Sequence, residues 1–204
     1  MKLTILGATG ATGTLLVERA LAAGHQVTAL ARTPQKLTVK HANLRTIAGD
    51  ATDGAAVARA LEGADAVISA LGATKGALMA EATRAIVSGA KQHNIKRVVV
   101  LSSFAVQRER LGGIAKAMTG LMMGAMIKDK AAGEDLLRAS GLDWTIVYAT
   151  LLGNGPATGA TVVPDGATLG MSQKIARADV AAFLLDTATS PRHSRQAVTI
   201  TGGK

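Results

Sequence analysis

Gly7, Gly10 and Gly13 recur at three-residue spacing in the run Gly7-Ala8-Thr9-Gly10-Ala11-Thr12-Gly13. An apolar stretch, Leu3-Thr4-Ile5-Leu6, precedes them, and a helix-like pattern from Leu15 to Ala22 follows. Residues of these types do their chemistry through the backbone. Gly7 permits a tight turn, Gly10 withholds a Cβ from the path of a ligand, and Gly13 lets the helix lie close to the sheet. The start of the helix offers unpaired N–H groups and partial positive charge, which suits a pyrophosphate. The spacing is G-x-x-G-x-x-G, so it is the position after a first strand that favours a dinucleotide site over a plain glycine-rich turn.

The next apolar run, Gln26 to Ala31, ends in Arg32-Thr33-Pro34. In such a site a carboxylate at this strand end reads a ribose 2′-hydroxyl, whereas an arginine suits a 2′-phosphate. No acidic residue lies between Glu18 and Asp50, but Arg19, Arg32, Lys36, Lys40 and Arg45 do. Arg32 can form a charge-assisted fork with phosphate, which points to NADPH; the alternative is a solvated surface arginine. Two more loops follow strand-like runs. Asp50 of Gly49-Asp50-Ala51 can accept from an adenine amino group, and the small residues of Ala70-Leu71-Gly72 admit adenosine close to the backbone. The expected cofactor lining is therefore Gly7, Thr9, Gly10, Ala11, Thr12, Gly13, Arg32, Asp50, Ala51, Ala70, Leu71 and Gly72.

Strand- and helix-like patterns alternate to position these loops. Short apolar runs occur at 2–6, 26–31, 43–48, 64–69, 96–101, 143–149 and 197–201, with helix-period stretches at 12–23, 54–61, 77–93, 125–140 and 176–188. Continuous runs such as Arg97-Val98-Val99-Val100-Leu101 read as strands buried on both faces, as in parallel sheets. The alternation predicts βαβ units in an α/β, doubly wound, mostly parallel sheet with helices on both faces. No compositional break divides the chain, so residues 1–204 are expected to form a single Rossmann domain. A small substrate-side region is expected from about 104–127 and 150–175. Within it, residues 107–127 carry four glycines and four methionines, an adaptable apolar segment. It reads either as a core or dimer-contact helix or as a mobile wall over a flat substrate.

Composition narrows the function classes. The 204 residues are 48% hydrophobic, enough for a large core, but aromatic residues are limited to Phe104, Trp144, Tyr148 and Phe183. That scarcity argues against a stacking platform for nucleic acid, and the net charge of +9 is scattered rather than run together. It would favour an anionic cofactor or acidic substrate. Cysteine is absent, and His25, His41, His93 and His193 lack ligand spacing, so no metal site is expected. No apolar stretch is long enough to span a bilayer, and Met1-Lys2-Leu3 enters the first strand directly. A cytoplasmic monomer or homodimer acting on a small molecule is the expectation.

Taken in order, the glycine turn, Leu30-Ala31-Arg32, Gly49-Asp50, Leu71-Gly72, Leu101-Ser102-Ser103, Lys130-Ala131-Ala132-Gly133-Glu134, Ser140 to Val147 and Ala178-Asp179-Val180-Ala181 resemble the short-chain dehydrogenase/reductase superfamily. The resemblance covers nearly the whole chain. It is nearer to the atypical NAD(P)H-binding branch, with its biliverdin/flavin reductase-like and NmrA-like members. The family implies a serine after the fifth strand and a Tyr-x-x-x-Lys on the next helix, with tyrosine as proton donor. Ser102 and Ser103 match the serine and Lys130 the lysine, with Ser102 and Lys130 also expected at the cofactor. Met126 stands where the tyrosine belongs. Relatives commonly show Ile-Val-Arg-Pro where this chain has Ile146-Val147-Tyr148-Ala149, which places a phenol where it stacks on nicotinamide or substrate, or caps the strand. The resemblance thus implies an NADPH-dependent oxidoreductase transferring hydride to a small planar acceptor such as a flavin or quinone, without a catalytic tyrosine. The alternative is a non-catalytic NADP(H)-binding redox sensor or regulatory protein.

Overall fold

The computed structural model describes residues 1–72, 78–110, 113–169 and 172–203, with the backbone alone at Arg108 and 113–123. Among these residues eight strands form one sheet and two more form a small parallel pair. In chain order the elements are β1 (Lys2–Leu6), α1 (Ala11–Ala22), β2 (Gln26–Ala31), β3 (Leu44–Ala48), α2 (Gly54–Leu61), β4 (Ala66–Ser69) and α3 (Leu78–Gln92). There follow β5 (Arg97–Ser103), α4 (Gly113–Arg138), β6 (Asp143–Ala149), β7 (Leu151–Gly153), β8 (Ala160–Val163), β9 (Lys174–Ala176), α5 (Arg177–Thr189) and β10 (Gln196–Gly202).

The strand order is β3-β2-β1-β4-β5-β6-β10-β8, and every pair is parallel except β10 with β8. This is the doubly wound Rossmann arrangement, with the chain reversing its direction of travel across the sheet after β3. Alternate residues of each strand feed two cores. Leu3, Ile5, Val27, Ala29, Val99 and Leu101 pack beneath α1 and α5 with Leu16, Val17, Val180 and Leu184. Leu6, Leu30, Val98, Val100, Ile146 and Tyr148 pack beneath α2, α3 and α4 with Val57, Leu61, Ile86 and Leu137. Burial on both faces is why these strands read as continuous apolar runs instead of alternating ones.

Register brings the strand ends into line. Leu6 of β1 lies beside Leu30 of β2 and Ser69 of β4, and Leu30 lies beside Ile47 of β3. The turns that leave these four strands therefore open at one carboxyl edge. Two features differ from expectation: the short strands β7, β8 and β9 lie where the sequence shows no strand-like run, and α4 starts at Gly113 and runs for 26 residues. Ala, Met, Leu and Lys favour helix strongly enough to carry it through the glycines of that segment. The side chains of 113–123 lie outside the described residues, as does the question of what the methionines among them cover.

Candidate active site

Gly7 adopts φ +79°, and a Cβ there would stand 2.7 Å from the Ala70 carbonyl oxygen. Both the turn and the approach of the β4 loop need glycine. A Cβ on Gly13 would fall 2.0 Å from the Gly7 carbonyl oxygen, so α1 can fold back onto the turn only without one. Gly10 is different. Its Cβ would meet nothing nearer than the Gly7 oxygen at 3.3 Å, and the space above it is open. The Gly10 N–H donates to Gly7 at 3.0 Å, and the Thr14 hydroxyl donates to the Ala8 carbonyl at 3.1 Å, bracing the turn.

No side chain caps α1, and its first turn holds no acid. The first N–H groups of a helix have no intrahelical acceptor, so Ala11, Thr12 and Gly13 direct theirs toward whatever lies beyond. Compare α2, where the Asp53 carboxylate accepts from the Ala55 N–H at 2.9 Å. Of these two helix starts, the one with Gly10 at its head, beside the crevice, is left open.

The crevice, of about 170 Å³, is lined by Gly7, Thr9, Gly10, Leu30, Ala31, Arg32, Gly49, Asp50, Ala51, Ala70, Leu71, Gly72 and Leu78. Arg32 is exposed at its rim. Asp50 accepts from the Thr52 N–H at 2.9 Å and the Thr52 hydroxyl at 2.8 Å on one oxygen. Those two bonds, reinforced by the positive charge of Arg32, hold its carboxyl below the usual range. An uncapped helix start, open space over Gly10 and a guanidinium beside the second strand fit a nicotinamide dinucleotide bound by its adenosine half. A larger groove of about 390 Å³ crosses the sheet at the amino ends of β1, β2 and β3, lined by polar residues such as Thr28, Asn43 and Arg45. It meets no helix start and is an uncovered stretch of sheet face.

The crevice thus gathers nine of the residues expected from the sequence, with Ala11, Thr12 and Gly13 in the adjoining turn of α1. Leu30, Ala31, Gly49 and Leu78 are additional, and the apolar β2 end, the turn before Asp50 and the start of the third helical stretch were their signal in the sequence. The residues implied by the resemblance lie further along the same edge. Ser102 and Lys130 border a cavity of about 10 Å³ between β5, α3 and α4, together with Met79, Thr83, Gly133 and Glu134. The Ser102 hydroxyl donates to Glu134 Oε1 at 2.7 Å, so its proton is already engaged. Ser103 is half-buried and its oxygen accepts from the Ala105 N–H at 3.3 Å, which leaves its own O–H to donate. Met126 is half-buried one helical turn before Lys130.

Lys130 is 8% exposed. Burial pulls its pKa down, and the negative charges of Glu134 and Asp129 oppose that fall. The Asp129 carboxylate is spent on α3, accepting from the Met79 and Ala80 N–H groups at 2.9 and 3.0 Å. Tyr148 does not stand at the crevice. β6 pairs with β5 so that Tyr148 sits opposite Ser102 and turns toward α4, where it is 2% exposed. Its hydroxyl donates to Glu134 Oε2 and accepts from Arg138 at 2.8 Å. Burial and the Glu134 charge raise its pKa, so it holds its proton. Glu134, given no chemistry by the sequence reading, is the hub here. The four-residue spacing of Lys130, Glu134 and Arg138 on one helix face was its signal.

A family model described as NAD(P)H-binding matches residues 7–191. An isoflavone reductase homolog of Zea mays is 28% identical over 207 residues, covering 94% of this chain and 65% of that protein. The chain therefore spans a little under two thirds of that relative's length. Among solved structures, ChuY, an anaerobillin reductase from Escherichia coli O157:H7, has a TM-score of 0.83 at 27% identity, covering 100% of this chain and 98% of its own. A short-chain dehydrogenase/reductase from Veillonella parvula DSM 2008, in complex with NADP, has a TM-score of 0.84 at 21% identity and covers 98% of this chain and 93% of its own. Together with the fold and the glycine turn, the family match over most of the length shows that this chain belongs to the NAD(P)H-binding family and that its cofactor is a nicotinamide dinucleotide.

Proposed function

We propose that the chain is an NADPH-dependent reductase that passes hydride to a small planar acceptor such as a flavin or quinone. The observation that carries this reading is the lack of a phenol at the site: Met126 stands one turn before Lys130, and Tyr148 is buried with its hydroxyl engaged. An isolated carbonyl needs a positioned proton donor as hydride arrives. An extended π system takes hydride first and collects its proton from water, so the protein has mainly to orient and shield. When bound, the dihydronicotinamide supplies the hydride. The α1 N–H groups hold the pyrophosphate and Arg32 forks onto the 2′-phosphate. Ser103 offers its O–H at the reacting end, and Lys130 sets a positive charge beside the anion formed there. The likeness to proteins named as reductases, from Zea mays and Escherichia coli, supports the same reading.

Met126 also favours a second reading, a non-catalytic NADP(H) sensor that reports redox state to a partner. One experiment separates the two. Purified protein is mixed with NADPH and a panel of flavins and quinones, and NADPH loss is followed by absorbance at about 340 nm. Turnover with a planar acceptor supports the reductase. Tight NADP(H) binding with no oxidation by any acceptor supports the sensor.

A further inference from the structure

We propose that Glu134 is a positioning residue: from within the layer between β5 and α4 it anchors Ser102 and balances the charge of Lys130, so that Lys130 meets the bound dinucleotide as a cation. The proposal rests on the reading above, in which Lys130 faces the cofactor's reacting end.

A carboxylate at 4% exposure is costly to bury unless its partners are worth the desolvation. Three donors from three elements converge on this one: Ser102 of β5 at 2.7 Å, Arg138 of α4 at 3.1 Å, and the Tyr148 hydroxyl of β6. Pairing with Arg138 does not by itself require burial, because Asp135, whose side chain is 77% exposed, already pairs with that arginine at 3.0 Å from solvent. What the buried position adds is proximity to Ser102 and to Lys130, one turn earlier on the same helix.

The surroundings of Lys130 make the second role specific. From α3 it is faced by Met79 and Thr83, which carry no charge, and from β5 by Ser102. The Tyr148 phenol of β6 and the Arg138 guanidinium are engaged with Glu134 Oε2, the oxygen that Ser102 does not use. The anions acting on it among the described residues are Glu134 and Asp129, and Asp129 has both oxygens committed to the start of α3. Glu134 is therefore the charge that opposes burial of the ammonium, as the larger of the two effects holding its proton on.

The test is NADP⁺ affinity measured by calorimetry from about pH 7.5 to about pH 10.5, where lysine titrates and the ligand phosphates do not. Wild type is expected to lose affinity several-fold at the alkaline end as Lys130 loses its proton. Glu134→Gln moves that loss to lower pH, and Glu134→Asp, which keeps the charge, leaves it near the wild-type position. Lys130→Arg, which stays charged throughout, removes the loss and provides a second variant should Glu134→Gln not fold. A wild-type curve with no alkaline loss overturns the proposal. So does a Glu134→Gln curve that coincides with wild type, or a Lys130→Arg curve that falls as wild type does. Turnover with flavins and quinones is read separately on the same proteins. Its absence in wild type would remove the reductase reading and leave the binding curves to decide the role of Glu134.

Discussion

At Gly10 and Gly13 the same added methyl group meets different surroundings. A Cβ at Gly13 lands 2.0 Å from the Gly7 carbonyl oxygen, inside the turn itself. Gly13→Ala should lower stability by about 1–3 kcal/mol or more, as overpacking does, and a thermal melt checks it. A Cβ at Gly10 meets far less, since the backbone there is extended and the Gly7 carbonyl oxygen, 3.3 Å away, need give by only a few tenths of an ångström. Gly10→Ala should therefore cost much less stability than Gly13→Ala yet bind NADP⁺ about tenfold more weakly or worse, a loss of 1.4 kcal/mol or more, because the methyl occupies the approach to the helix start. Arg32 belongs to the same scale. Replacing it with Asp removes a charge-assisted fork and adds repulsion, so the preference for NADPH over NADH should fall by roughly ten- to a hundredfold in paired binding titrations. An unchanged ratio would sink the assignment of the 2′-phosphate to Arg32.

Between elements, α3 and α4 are joined by a contact that reaches the cofactor loop. Asp129 on α4 accepts from the Met79 and Ala80 N–H groups, and Leu78, one residue earlier, lines the crevice. Gly133 allows the approach, as a Cβ there would be 3.0 Å from both the Met79 carbonyl oxygen and the Thr83 hydroxyl. Asp129→Ala should destabilise by about 0.5–2 kcal/mol, the range for a lost helix cap, in denaturant unfolding. It should also weaken NADP⁺ binding, because the start of α3 sets the position of Leu78. Full affinity in a destabilised variant would show that the cap serves α3 and not the crevice.

Across the whole molecule, Arg110 holds together three pieces distant in sequence. Its guanidinium donates to the Ala167 and Pro164 carbonyl oxygens at 3.1 and 3.0 Å, to Gln107 Oε1 at 3.0 Å and to the Thr199 hydroxyl at 3.0 Å. It also lies 5.5 Å from the centre of the Phe104 ring, in a small cluster with Val163 and Leu169. The turn after Ser103, the loop after β8 and β10 are thereby fixed to one another. Arg110→Ala should lower the melting temperature, by an amount corresponding to about 1–3 kcal/mol for hydrogen bonds from a charged group left unmade.

How much of this was legible in the chain follows from the range of the interactions. The sequence by itself determined the α/β class, the loops at the carboxyl edge, and the helices and the strands β1 to β6 and β10 to within a residue or two, but not the start of α4 or the short strands β7, β8 and β9. Those features depend on local spacing: glycines after a strand, apolar runs buried on both faces, Arg32 at a strand end. What only the tertiary structure decided was direction. Tyr148 turns to the buried side because parallel pairing sets it opposite Ser102, and side chains alternate from face to face. Glu134 becomes a hub because β5, β6 and α4 converge on it, a meeting of residues 32 and 14 positions away along the chain. Ser102 and Ser103, adjacent and identical in type, part company for the same reason, one facing a carboxylate and the other a backbone N–H. A residue's type states what it can donate or accept, and only the packing of distant elements states to whom.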